Sequence, residues 1–123
     1  MSVRPRPFLP SLRTDNPTAA LDYEIAQERA SALGRLGRRL EAALAALAAF
    51  DVDLNDDPPA VRRERRAALV AEAGEAAWAF IVQREACGLR DSTRAMRDYG
   101  VPGEVRARMG VFPAAKPLGR SRR

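Results

Sequence analysis

LDYEIAQERASALGRLGRRLEAALAALAAF, residues 21–50, is the stretch whose reading decides the fold. Within it Leu33, Leu36, Leu40, Ala43, Leu47 and Phe50 recur at alternating steps of three and four. That is the a/d spacing of a left-handed helix pair. Leu21, Ile25 and Ala32 extend a looser helical line upstream, and alanine, the best helix former, fills much of the remainder. Asn16 is placed to cap the start, and Pro17 suits a first helical position, where a missing N–H costs nothing. The spacing predicts one helix from Pro17 to Phe50. A helix of 30 residues is about 45 Å long. Such a rod cannot bury its own apolar stripe, so the rest of the chain has to cover it.

The cover follows in the sequence. After Phe50 comes DVDLNDDPP, a turn-forming run in which Asp57 is a candidate cap and Pro58 and Pro59 fit the first turn of a second helix. That helix is expected from Pro58 to Cys87, with Gly88 as a left-handed stop. A link this short makes the two helices antiparallel neighbours. A turn centred on residues 54–55 sets Arg35, Arg38 and Arg39 level with Glu72 and Glu75, and Glu24 and Glu28 near Arg84. Within each helix the i,i+4 pairs are like-charged, as in Arg35/Arg39 and Glu24/Glu28, so the pattern fits pairing between helices better than pairing along one. Gly34, Gly37 and Gly74 also come level. Interior glycines cost a helix about 1 kcal/mol each, which points to a close crossing or to a flat place where another element lies down.

Beyond Gly88, LRDSTRAMRDYGVPGEVRARMGVFP reads as two short helices. Asp91 caps the first, which stops at Tyr99-Gly100; Pro102 opens the second, which stops at Met109-Gly110. Their apolar groups, from Leu89 to Phe112, suffice for a small cap near Trp78 and the helix glycines. The fold class is therefore all-α: residues 16–112 form a long antiparallel helical hairpin capped by two short C-terminal helices. Residues 1–15 and 113–123 read as flexible basic arms. Two helices leave an apolar arc wider than they cover. The expectation is a homodimer closing into a four-helix bundle, a coiled-coil-like arrangement, with Leu40, Leu44 and Leu47 in or beside the interface.

Three segments, LDYEIAQERASALGRLGRRLEAALAALAAFD, QREACGLRD and RDYGVPGEVRARMG, resemble a family of short, mostly alphaproteobacterial proteins known as a domain of unknown function. The resemblance covers about residues 20–112. It implies a bacterial, helical protein and carries no activity or catalytic residue to transfer.

Composition narrows the chemistry. The 123 residues carry a net charge of +5, with 21 basic and 16 acidic side chains, no histidine and one cysteine, Cys87. Lys116 is the sole lysine. Without histidine the commonest general base and metal ligand is missing, and Ser-His-Asp, Cys-His and Glu-x-x-His arrangements are ruled out. Zinc-type cysteine clusters and a glycine-rich phosphate loop are absent as well. The expectation is a protein without catalytic, cofactor-binding or metal residues; Glu72 and Glu75, the carboxylates an enzyme would have to use, read as surface or cross-helix charges. Cys87 reads as a small buried hydrophobe rather than a redox thiol. A lone cysteine, no long uncharged apolar run and an N-terminus without an apolar signal core point to the cytoplasm.

The surplus positive charge lies at the chain's ends, while residues 51–60 carry four aspartates. Arg62, Arg63, Arg65 and Arg66 are the candidate nucleic-acid contacts, since phosphates would suit them. The competing reading is neutralisation by the neighbouring Asp51, Asp53, Asp56 and Asp57, and it is preferred. STRAMRDYGVPGEVRARMG has a helix-turn-helix flavour, but Ala95 and Val105 miss the usual spacing about Gly100 by one residue. The leading expectation is a small structural or protein-interaction module with an unidentified protein partner; the alternative is a nucleic-acid-associated basic protein. No small-molecule substrate and no membrane association is expected.

Overall fold

The helix begins where the cap chemistry puts it. Asn16 Oδ1 accepts the Ala19 N–H at 3.0 Å, and Pro17 occupies the first helical position. The computed structural model describes residues 16–111. Helix α1 runs from Pro17 to Val52, two residues past the expected end, where the Asp53 N–H closes on the Phe50 carbonyl at 3.1 Å. Its 36 residues span about 54 Å. Helix α2, Pro59–Ala86, returns alongside it; α3, Ser92–Tyr99, and α4, Gly103–Arg106, follow. No strand occurs among the described residues. The all-α class and the order of two long and two short helices are as the sequence predicts. The two terminal arms, and Phe112 of the expected cap, lie outside the described residues.

The start of α2 differs from expectation. Asp57 does not cap it. Pro59 is the first helical residue and has no N–H to offer, so the cap position falls on Pro58, which makes no side-chain hydrogen bond. The Asp57 carboxylate takes Arg65 instead.

The core is one apolar seam. Leu40, Leu47 and Phe50 from α1 meet Val70, Ala73, Ala76, Ala77, Phe80 and Ile81 from α2, and Ala95, Met96, Val101 and Val105 complete it. The alanines on α2 let the helices approach closely enough for Leu40 to lose all its exposure. No polar or charged side chain among the described residues is buried.

The register is shifted from the expected one. The expected approach of Arg39 to Glu75 is present, at 3.6 Å, but Arg62 donates to the Phe50 carbonyl at 2.9 Å and Gln83 donates to the Arg29 carbonyl at 3.1 Å. Each partner lies further along α2 than a turn centred on residues 54–55 sets it. Because α1 continues to Val52 and the link occupies residues 53–58, the bend sits later in the chain. The expected Glu28–Arg84 approach is replaced by Glu28 with Arg35 on the same helix, 3.2 Å apart, while Arg84 Nη2 donates to the Asp91 carbonyl at 3.5 Å.

Two of the three helix glycines are seats for the C-terminal segment. A Cβ on Gly37 would stand 2.8 Å from the Tyr99 hydroxyl and 3.3 Å from the Phe80 ring. One on Gly74 would stand 2.8 Å from Arg108 Cβ. Gly34 meets nothing closer than the Arg38 guanidinium at 3.5 Å, so it is not part of a common crossing point. The cap itself is held by local chemistry. Asp91 accepts the Arg94 N–H at 3.1 Å, and Gly100 adopts φ 67° so that the Val101 N–H can return to the Met96 carbonyl. Tyr99 then leans on Phe80, ring centroids 4.9 Å apart, and Gly110 comes down beside Trp78.

Candidate interaction surfaces

The arginine cluster sits on the first two turns of α2, which face the end of α1 and the aspartate-rich link. Arg62 lies over the Phe50 ring, 4.4 Å from its centroid, with Nη2 on the Phe50 carbonyl. Arg65 pairs with Asp57. Arg66 forms two bidentate pairs: Nε and Nη2 to Asp51 at 2.6 and 3.1 Å, and Nη1 and Nη2 to Glu104 at 2.9 and 2.7 Å. Arg63 is exposed without an acidic partner among the described residues. Three of the four guanidinium groups are thus engaged within the chain, so phosphate contact would have to break existing pairs. Of the four aspartates named as neutralising, Asp51 and Asp57 do so; Asp53 and Asp56 pair with no arginine among the described residues.

Arg66 is the hub that ties three helices together: α1 through Asp51, α2 through its own backbone, α4 through Glu104. Its hydrogen bonds hold the Asp51 and Glu104 carboxyls below the ordinary carboxylate range, and those to Glu104 and then Asp51 push the guanidinium further up. The partner Glu104 was not legible in the sequence. It stands 38 positions away, and nothing in local spacing pairs the two.

Leu40 and Leu47 belong to the chain's own core, 0% and 4% exposed. Leu47 still borders a surface groove beside Gly100 and Pro102. Leu44 is half-buried and lines the same shallow groove, of about 360 Å³, with Ala45, Ala48, Pro102 and the Arg66 pairs. A second groove of about 420 Å³ runs over Gly34 and Gly37, walled by Phe80, Tyr99, Arg38 and Arg84.

Glu75 pairs with Arg39 and Glu72 lies on an exposed edge beside Ala43 and Leu69. Cys87 is half-buried, its thiol 3.7 Å from the Arg29 carbonyl. The would-be recognition helix of the helix-turn-helix reading is one turn, Gly103–Arg106, and its Val105 is wholly buried. Among the described residues no group of three His, Cys, Asp or Glu side chains could hold a metal ion.

These elements define a small all-α protein built on an antiparallel helical hairpin. The chain belongs to a family of unknown function (DUF6665), whose model matches residues 1–117. That match is longer than the stretch carrying the resemblance in the sequence and takes in the N-terminal arm. No curated protein and no solved structure matches the chain.

Proposed function

We propose that the protein is a structural, protein-interaction module without catalytic activity, cofactor or small-molecule substrate. The observation that supports this is the exposure of large apolar side chains at both ends of the rod. Leu21, Tyr23 and Ile25 stand out at one end; Val52 (77% exposed), Leu54 (92%) and Val61 stand out at the other. Bare groups of this size at the extremities of a well-packed hairpin suit contact with other chains. The hairpin tip adds Asp53 and Asp56, so its partner would present apolar and basic groups together. We place the protein in the cytoplasm of a bacterium. The lone cysteine fits a reducing compartment, and no helix among the described residues is long and apolar enough to cross a membrane.

The test is capture with the full chain from the cell that makes it, with the captured material resolved into protein and nucleic acid. The reading expects a defined protein that is lost when Val52 and Leu54 are both changed to Asp. Nuclease-sensitive material bound with a steep salt dependence would support the nucleic-acid alternative instead, because phosphate contacts release counterions.

A further inference from the structure

We propose that the groove over Gly34 and Gly37 binds a small carboxylate carried on a flat apolar body, an aromatic acid by class. This goes beyond the interaction-module reading: the ligand is held, not converted, at a place remote from the hairpin tip.

The groove, about 420 Å³, has the size and the mixed lining of a small-molecule site. Its floor is a strip of α1. Gly34, Gly37, Arg38 and Glu41 follow at steps of three, one and three, which keeps them on one face of the helix. The wall comes from α2 and α3. Phe80 and Tyr99 stand with ring centroids 4.9 Å apart and planes tilted by 57°, and Arg84 Cζ lies 6.0 Å from the Phe80 centroid.

Three donors meet in this space. Arg38 Nη1 lies 3.5 Å from where a Gly34 Cβ would stand, and the Tyr99 hydroxyl 2.8 Å from where a Gly37 Cβ would stand. Cβ positions three residues apart on a helix are about 5–6 Å from each other, so these two donors are close neighbours. Arg84 lines the same groove from α2. Neither arginine has a carboxylate partner among the described residues. Arg84 Nε is shielded from water and without a hydrogen bond there, and Nη2 reaches the Asp91 carbonyl only at 3.5 Å, the far limit of such a bond. A guanidinium packed among side chains in this state is half of an ion pair. The remaining sequence has little to complete it: residues 1–15 hold one acid, Asp15, and residues 112–123 none. Asp15 adjoins the start of α1, about 27 Å of helix before Gly34.

The ligand follows from these groups. Two guanidinium forks and a phenol match the two oxygens of a carboxylate. Two arginines against one glutamate leave the groove one positive charge in surplus, which suits a monoanion and disfavours a phosphate dianion. The aromatic wall and the bare backbone at Gly34 leave room for a flat ring. Packing within the chain does not call for glycine at 34, since a Cβ there meets nothing closer than Arg38. An interior glycine is costly in a helix, and access for a ligand supplies the reason.

The test is a titration of the full chain with sodium benzoate, followed through backbone amide shifts. Saturable shifts should centre on Gly34, Gly37 and Tyr99, with a dissociation constant in the millimolar range or below, the strength open to a ligand of so few atoms. Benzamide, a ring without the charge, and acetate, the charge without a ring, should each bind about tenfold more weakly or worse. Arg38→Gln and Arg84→Gln should each weaken benzoate by about tenfold. Arg63→Gln, which removes an arginine outside the groove that also lacks an acidic partner among the described residues, should leave binding unchanged. Gly34→Leu should fill the floor and abolish binding while the melting midpoint holds or rises, so that the loss is not unfolding. No saturation at millimolar benzoate overturns the proposal, as do shifts centred elsewhere. Benzamide binding as well as benzoate, or phosphate binding more tightly, does the same. So does benzoate binding that survives Gly34→Leu or both arginine changes. None of these results bears on the capture experiment, which reads Val52 and Leu54, about 27 Å or more further along α1 from Gly34.

Discussion

Gly74 on α2 is the seat of Arg108: a Cβ there would meet Arg108 Cβ at 2.8 Å, its carbonyl carbon at 3.0 Å and its carbonyl oxygen at 3.1 Å. Two of those three atoms are backbone, so no side-chain rotation relieves the contact. Gly74→Ala should therefore lift the segment after α4 off the hairpin and destabilise by about 1–3 kcal/mol, despite alanine's better helix propensity. Gly34→Ala is the control. Its Cβ has room, and the change should stabilise by up to about 1 kcal/mol. Thermal denaturation of both variants separates a packing role for glycine from a merely tolerated one.

Leu40 and Leu44 lie one turn apart on the same helix and should respond differently. Leu40 is fully buried, and Leu40→Ala should cost about 2–5 kcal/mol. Leu44 is half-buried at the edge of a groove, and Leu44→Ala should cost distinctly less. Urea titrations of the two variants give the comparison.

The Arg66 pairs predict an acid-labile cap. Asp51 and Glu104 have folded pKa values below their unfolded ones. Their contribution is present in full above the ordinary carboxylate pKa of about 4 and is lost as pH falls through the lower folded values. Trp78 fluorescence, which senses Gly110 beside the ring, should stay flat from neutral pH to about pH 5 and change below that range. Arg66→Met should remove most of this acid step, because Glu104 then loses its partner and Asp51 keeps only the weaker field of Arg62. High salt should weaken the pairs at neutral pH, since they lie at the surface.

The Asn16 cap predicts a local effect. Asn16→Ala removes the hydrogen bond to the Ala19 N–H and should cost the start of α1 about 1 kcal/mol. Residues 20–28 are exposed among the described residues, so their amides should exchange faster while those of the Leu40–Phe80 seam are unchanged. Hydrogen exchange resolved by residue reads both regions at once.

Much of this architecture was legible before the structure. The Leu33–Phe50 spacing, the Asn16-Pro17 start, the Asp91 cap and the Gly88 and Gly100 stops each act within a few residues, through hydrogen-bond donors and backbone torsions that the sequence states directly. Sequence composition likewise set aside histidine-dependent chemistry, because the side chains are not there.

What required the tertiary structure were relations between distant positions. Which residues of α1 meet Arg62 and Gln83, and why Gly37 and Gly74 seat a segment while Gly34 does not, depend on how far the bend falls along the chain. Arg66 illustrates the reason. In the sequence it is one of four adjacent arginines with aspartates nearby; only packing α4 onto α2 brings Glu104 to it, and long-range ion pairs leave no periodicity to read. The exposed start of α1 belongs to the same class. Its helical spacing was visible, but that α2 stops opposite Arg29 and leaves Leu21 and Ile25 bare is decided by the register of one helix against the other.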